Sequence, residues 1–270
     1  ETVENYPSYL LDALKSLAPN KCNKEPKVVI LTPGSLNSAY YEHSFLADLM
    51  GVELVQGTDL FVDESITYMK TTRGPEKVDI IYRRIDDKFI DPITFDSSSL
   101  IGIPGLFDSY KSGNVNICSA PGSGIADDKA IYSYIPEIIK FYLGEEPILD
   151  NVKTWRCCEE DAKKYVLNNL NKLVVKEVHG SGGYGLLIGS KSSKKEIEIF
   201  RKKILLNPAN YIAQPILELS SVPIFDKKKL SPRHVDLRPF CLVGAKKTKL
   251  VDGGLTRVAL NQGSLVVNSS

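Results

Sequence analysis

The run KLVVKEVHGSGGYGLLIG, residues 172–189, limits what this chain can fold into more than any other stretch. Residues 173–178 read as a strand. Gly180, Ser181, Gly182, Gly183, Tyr184 and Gly185 follow as a turn, and residues 186–189 form a second strand. Four glycines in those six turn positions let the backbone approach a ligand closely and aim its N–H groups at an anion. A charged side chain, Lys176, stands inside the first strand. The competing reading is a surface hairpin whose lysine faces water.

By letters the turn fits G-x-G-x-x-G at Gly180, Gly182 and Gly185. A dinucleotide-binding fingerprint follows a strand and opens a helix, whereas here the apolar run Leu186, Leu187, Ile188 continues as strand. No Gly-Lys-Ser/Thr follows, so the turn is not a P-loop. Protein kinases also lay a glycine-tipped hairpin over phosphates, but their lysine comes after the loop and they carry H-R-D and D-F-G segments. This chain has its lysine before the loop and lacks both segments.

Length and composition narrow the class. The 270 residues suffice for about two domains. With 43% hydrophobic and 25% charged residues the chain reads as soluble and globular. A net charge of +1 argues against a general nucleic-acid or anionic-membrane binder, and no apolar run reaches the ~18 residues of a membrane span. The five cysteines (Cys22, Cys118, Cys157, Cys158, Cys241) are odd in number and contain no C-x-x-C. That points away from a zinc site or a disulfide framework and toward a reducing, cytoplasmic setting. The first residue is Glu1, not Met, which reads as a fragment or a processed chain.

The first half alternates strands and helices. Residues 9–17 show helical spacing, residues 28–31 form a fully apolar strand, residues 38–50 a helix and residues 52–55 a second strand, a βαβ order. Ligands of such units bind at the carboxyl ends of strands, which makes Thr32, Asn37, Ser38, Tyr41, Glu42 and His43 candidate substrate contacts. Alternatively, Asn37 or Ser38 caps the helix and His43 is a satisfied helix residue. Residues 60–62 and 67–70 read as short strands, and residues 78–82 as another apolar strand. Arg83, Arg84, Asp86 and Asp87 follow its end and suit either a clamp on a carboxylate or amine substrate or a surface ion-pair cluster. Residues 115–118 form a further strand.

The second half reads as α+β. Helices are expected from Asp127 through Tyr134, over residues 135–143, 159–170 and 194–206. A strand covers residues 211–214, and 227–229 read as a solvated loop. A hairpin of residues 234–243 and 249–251 turns about 244–247. Gly253 and Gly254 interrupt before residues 255–260, and residues 264–267 form a last strand. Residues 211–217, which end in Gln214, Pro215, Ile216 and Leu217, are a candidate hinge for a base. Asp236 and Arg238 share one strand face by alternation, and Arg257 is a second strand arginine. Arginine is rarely buried without a partner, so the three residues form either a phosphate and metal site or an ion pair.

Over residues 31–270 the segments LTPGSLNSAYYEHSFLADLMGVELVQGTDL, VDIIYRRIDD, NVNICSAPGSGIADDKAIYSYIP, FYLGEEPIL, LVVKEVHGSGGYG, YIAQP, PRHVDLRPF, GGLTRVAL and GSLVVNSS are together similar to the circularly permuted ATP-grasp (type 2) family, related in fold to glutathionylspermidine synthase. The resemblance implies an α/β plus α+β fold. A parallel pre-ATP-grasp α/β domain, residues 1–124, lies on the substrate side, and an incomplete ATP-grasp domain with the glycine-rich hairpin spans residues 125–270. It implies ATP and Mg²⁺, with a small-molecule carboxylate and an amine, amino acid or peptide-like, joined through an acyl phosphate. Lys129 and Lys176 would reach the nucleotide, residues 182–185 would cover its phosphates, and Gln214 to Leu217 would receive adenine. Asp236 and Asn268 would sit at the metal, and Arg238 and Arg257 at the phosphoryl group. The resemblance also implies further sequence before Glu1, carrying a Glu-Asp-Asn-Leu-Arg-type source of metal ligands, and a glycine-rich stretch after Ser270. A non-catalytic ATP-binding module serving as scaffold or regulator is the alternative.

Overall fold

The computed structural model describes residues 3–180, 185–226, 229–265 and 267. The chain divides into two units, the first comprising Glu1–Ser123 with Arg238–Leu255 and the second Gly124–Leu237 with Thr256–Ser270. The sequence places the division after residue 124 and does not anticipate that Arg238–Leu255 belongs with the first unit.

The first unit begins with α1 (Tyr6–Ser16), which Pro7 opens. Strand β1 (Val28–Leu31) leads to α2 (Tyr40–Met50), closed by Gly51 in the left-handed conformation at φ 65°. Strand β2 (Glu53–Val55) follows. Strands β3 (Leu60–Asp63), β4 (Ile66–Thr71) and β5 (Gly74–Lys77) make an antiparallel meander. Strand β6 (Ile80–Arg83), α3 (Leu106–Lys111) and β7 (Asn116–Cys118) complete the run. The main sheet is parallel in the order β2-β1-β6-β7.

All four β1 residues are buried, because both faces of this sheet are covered. Val28 and Ile30 pack with Leu10, Leu14, Ala47 and Met50 from α1 and α2. Val29 and Leu31 pack with Leu60, Met69 and Leu106 from the meander and α3. Beneath this second layer the fully buried Asp91 accepts hydrogen bonds from the backbone N–H of Ile93 (2.9 Å), Gly105 (3.2 Å) and Phe107 (2.9 Å). A carboxylate with that many donors is satisfied without a cation.

The second unit starts with α4 (Lys129–Tyr132), whose cap Asp128 accepts from the N–H groups of Ala130 (2.7 Å) and Ile131 (3.2 Å). Then come α5 (Ile135–Leu143), β8 (Trp155–Arg156), α6 (Glu160–Asn169), β9 (Leu173–Glu177) and β10 (Leu186–Ile188). Helix α7 (Lys194–Leu206) carries a reciprocal Ser193–Glu196 capping box. Strand β11 (Tyr211–Pro215) returns to an antiparallel sheet of order β10-β9-β11-β8. A second sheet has the order β12 (Ser221–Asp226), β13 (Lys229–Val243), β14 (Thr248–Val258).

Several sequence expectations need correction. Helix α2 starts at Tyr40, and neither Asn37 nor Ser38 is its cap; Asn37 instead accepts from the Ala39 N–H at 2.9 Å through its own Oδ1, closing a local turn. Strand β14 runs through Gly253 and Gly254, whose backbones keep pairing where isolated glycine would weaken a strand. Lys229 opens β13 instead of lying in a loop, while Lys227 and Lys228 fall outside the described residues. Ser264, Leu265 and Val267 are not in a strand. Strands β5, β8 and β12 were not expected: β5 and β12 each contain a proline, and β8 has only two residues.

Candidate nucleotide site

The sheet of the second unit has two unlike faces, and strand alternation explains both. Leu173, Val175, Leu187, Tyr211 and Ala213 point to one side and pack with Val166, Leu170 and Ile204 of the α6 and α7 layer. The other side presents Val174, Lys176, Leu186, Ile188 and Gln214. With Pro215, Leu217, Leu219 and Leu265 these residues line a cavity of about 150 Å³. It is an apolar slot the size of a flat ring, with one ammonium and one amide at its wall.

Lys176 pairs in register with Leu186 on β10 and Ile212 on β11. Its Nζ donates to Gln214 Oε1 at 2.7 Å. The Gln214 amide nitrogen donates in turn to Thr154 Oγ1 at 2.9 Å. Burial, and secondly the nearby charge of Lys129, hold the Lys176 ammonium below the usual lysine pKa. Lys129 Nζ donates to the backbone oxygens of Val178 (3.3 Å) and Gly180. One ammonium, that of Lys129, therefore binds the start of the glycine turn, and the other, that of Lys176, stands at the wall of the slot, close enough to feel its charge.

The hairpin closes through the Glu177 N–H, which donates to Gly185 O at 3.1 Å. Gly185 has φ 66°, a left-handed conformation that favours glycine, and a Cβ there would lie 2.5 Å from the Glu177 side chain, which would have to move. Gly180 donates through its N–H to Glu177 O at 3.3 Å. Ser181, Gly182, Gly183 and Tyr184, expected to cover phosphates, and Asn268, expected at a metal, lie outside the described residues.

Arg257 and Asp236 form an ion pair, Nη2 to Oδ2 2.7 Å. Arg238, two residues on from Asp236 along β13, is exposed. Among the described residues no group of three or more His, Cys, Asp or Glu side chains is placed to hold a metal ion. Asp236, the metal candidate that lies among the described residues, is engaged by Arg257.

The substrate candidates of the first unit fall into two groups. His43 is buried, and its Nδ1 lies 2.9 Å from Thr32 Oγ1. The Gly34 N–H donates to that same oxygen at 3.3 Å, so the Thr32 hydroxyl ties the turn after β1 to the His43 ring. Burial first, then Arg84, push the His43 pKa down, against the opposing pull of Glu42. Tyr41 is exposed and stacks on Phe45, and Asn37 and Ser38 lie in the exposed turn before α2.

Arg83 is committed to structure. It donates to the backbone oxygens of Ser119 (2.7 Å), Ile85 (2.8 Å) and Ala120 (3.3 Å) and pairs with Asp87 at 2.5 Å. Asp87 also accepts from the Gly122 N–H at 2.9 Å. The pair thus fixes the turn after β7. Asp86 precedes a short 3₁₀ turn that it does not cap through its side chain, and Arg84 lies over the Tyr82 ring, 5.7 Å from its centroid. A wider groove of about 670 Å³ in the same unit, between α1 and residues 239–243, has no charged side chain in its lining and offers phosphate nothing.

The chain belongs to the circularly permuted ATP-grasp type 2 family, whose sequence model matches residues 1–259. A protein of Synechocystis sp. is 53% identical over 100% of this chain and 56% of its own length. A Frankia alni protein bearing the name "Putative glutamate–cysteine ligase 2-3" is 40% identical over 98% of this chain and 30% of its own length. A solved structure of the ATP-grasp ligase PsnB complexed with minimal precursor shares 12% identity, with a TM-score of 0.42 over 86% of this chain and 76% of that one. The chain spans about half the length of the Synechocystis protein and less than a third of the Frankia alni one. No helix among the described residues is long and apolar enough to cross a membrane.

Thr154 is the site residue that sequence reasoning missed. It lies in a connector just before the two-residue β8, and only the pairing of Trp155 with Ala213 brings it opposite Gln214.

Proposed function

We propose that this chain is the nucleotide-binding core of an ATP-dependent ligase that joins a small carboxylate to an amine. The observation that carries this reading is an apolar slot walled by Gln214, Pro215 and Leu217 with the Lys176 ammonium in its wall, and near it the Lys129 ammonium on the Val178 and Gly180 carbonyls where the glycine turn begins. In this reading the slot takes adenine, the two ammonium groups take phosphate oxygens, and the turn's N–H groups close over them.

The reaction has two steps. A substrate carboxylate oxygen attacks the γ-phosphorus of ATP, and ADP leaves. The amine nitrogen then attacks the acyl carbon, loses a proton and expels phosphate. Positioning and charge neutralisation carry most of such a phosphoryl transfer. Arg257, held by Asp236, and the exposed Arg238 are the cationic groups assigned to the transferred phosphoryl. Asp236 and Asn268 are assigned to Mg²⁺. Thr32, Asn37, Ser38, Tyr41, Glu42, His43, Arg84 and Asp86 are assigned to the substrate side, with Arg83 and Asp87 shaping the turn beside it. The name of the Frankia alni relative makes glutamate and cysteine the first pair to try. Family membership favours a cytoplasmic setting.

Calorimetry of MgATP binding, followed by an ADP-release assay with amino-acid carboxylates and amines, tests the reading. Nucleotide binding with substrate-dependent ADP release supports the ligase. Binding without turnover in a chain extended at both ends favours the non-catalytic module, and no binding by either form sinks both.

A further inference from the structure

We propose that Thr154 is a positioning residue of the nucleotide site: through the Gln214 amide it sets where the Lys176 ammonium points. The inference rests on the nucleotide reading of that site and adds a residue which neither motif nor spacing reveals.

The chemistry of the donors fixes the chain of bonds. An ammonium can only donate, so the group of Gln214 facing Lys176 at 2.7 Å must be its carbonyl oxygen. The amide nitrogen is then forced to the other side, where it meets Thr154 Oγ1 at 2.9 Å. The Thr154 hydroxyl gives its own proton to Val152 O at 2.9 Å, so its oxygen can only accept from Gln214. Every group in the run Val152–Thr154–Gln214–Lys176 has one available role, and the amide has one orientation.

Without the threonine oxygen that orientation has no support. The Gln214 nitrogen would be left half-buried without its acceptor, and turning the amide over would bring its N–H₂ against the Lys176 ammonium. Among the described residues the surroundings of Lys176 offer no substitute. Its strand neighbours Leu186 and Ile212 are apolar, as are Leu217, Leu219 and Leu265 around the slot. The charged group acting on it is Lys129, which repels. Gln214 Oε1 is therefore what draws Lys176 toward the slot wall, and Thr154 is what keeps that oxygen in place.

The test uses the chain carrying Thr154→Val, which keeps the shape and removes the oxygen, and Thr154→Ser, which keeps the oxygen. The first readout needs no nucleotide: the Lys176 ammonium is titrated by NMR in the free protein with labelled lysine. Thr154→Val is expected to lower its pKa further, by about one unit, because the charged form loses its oriented acceptor, whereas Thr154→Ser matches wild type. The second readout is MgATP binding by calorimetry, expected to weaken about tenfold in Thr154→Val, and to within twofold of wild type in Thr154→Ser. An unchanged Lys176 titration in Thr154→Val, or equal loss in both variants, overturns the positioning role. If wild type titrates as expected but binds no MgATP, the nucleotide reading fails while the relay stands.

Discussion

Arg257 approaches Asp236 from the neighbouring strand with three donors: its Nη2 at 2.7 Å from Oδ2, its Nε shared between Oδ2 (3.3 Å) and Oδ1 (3.4 Å), and its backbone N–H at 3.2 Å from Oδ1. The carboxylate therefore orients both the guanidinium and the main chain of β14. Both side chains are about a quarter exposed, which keeps the pair's stabilising effect small, about 0.5–1 kcal/mol. Asp236→Ala should accordingly shift the melting temperature little while releasing Arg257. We expect calorimetry to show weaker MgATP binding with a smaller gain from Mg²⁺. Unchanged nucleotide binding would reduce the pair to a strand clasp.

Lys176→Met should weaken MgATP binding by about 1.5–3 kcal/mol, the worth of a hydrogen bond to a charged group. The same variant should alter the pH dependence of stability. The Lys176 pKa in the folded chain lies below its value of 10.5 in the unfolded chain. Between those two values the unfolded state holds more protons, so the cost of burying the charge is fully present below the folded pKa and fades as pH rises toward 10.5. Wild type should gain stability relative to Lys176→Met across that alkaline window, measured by denaturant titration at several pH values. Parallel curves would show that the lysine is solvated.

His43 gives an acid limb. Its folded pKa is lowered from 6.5, first by burial and then by Arg84. Stability should therefore fall as pH drops through 6.5 toward the folded pKa, because the unfolded chain takes up the proton first. His43→Gln keeps a polar side chain beside Thr32 and should flatten this limb between about pH 5 and 7. Thermal melts over that range decide the matter, and a limb of equal depth in the variant would assign it to another group.

Gly185→Ala forces a side chain into the left-handed region and against Glu177. The backbone cost is about 1–2 kcal/mol. Because the strain sits at the closing bond of the hairpin, nucleotide affinity should drop more than global stability does. Matching calorimetric and melting data on one preparation would reveal this, and equal losses in both would mean that the hairpin merely supports the fold.

The parallel sheet was legible because both of its faces are covered. Val28, Val29, Ile30 and Leu31 are all buried, and an uninterrupted apolar run of that length between turn residues is the signature of such a strand. The β9–β10 hairpin was legible for a different reason: glycines mark its tip and alternation marks its sides. Helix α7 was readable to the residue, since Ser193 and Glu196 cap its start and Asn207-Pro208 ends it. Strands β5 and β12 were hidden by Pro75 and Pro223, which weaken the local signal although both strands lie at sheet edges where proline is tolerated.

The site was legible in type and incomplete in wiring. Lys176 and the turn glycines suggested an anion-binding hairpin, because a charge inside an apolar strand and a cluster of glycines each carry a local cost that needs a reason, and the structure places Lys176 in the wall of a slot. The partners of Lys176 were not readable. Gln214 lies 38 residues away and Thr154 a further 60 from Gln214, and only the antiparallel registers of β9, β11 and β8 bring the three together. Likewise, Arg83 followed by acids suggested a substrate clamp, yet its guanidinium is taken up by the backbone of Ser119 and Ala120 more than thirty residues on. The sequence by itself determined the elements, their order and the residue types able to meet a nucleotide, since periodicity and glycine content act locally along the chain. The tertiary structure alone decided which of those groups face one another, because hydrogen bonds between side chains depend on strand register, and register is set by how whole faces pack.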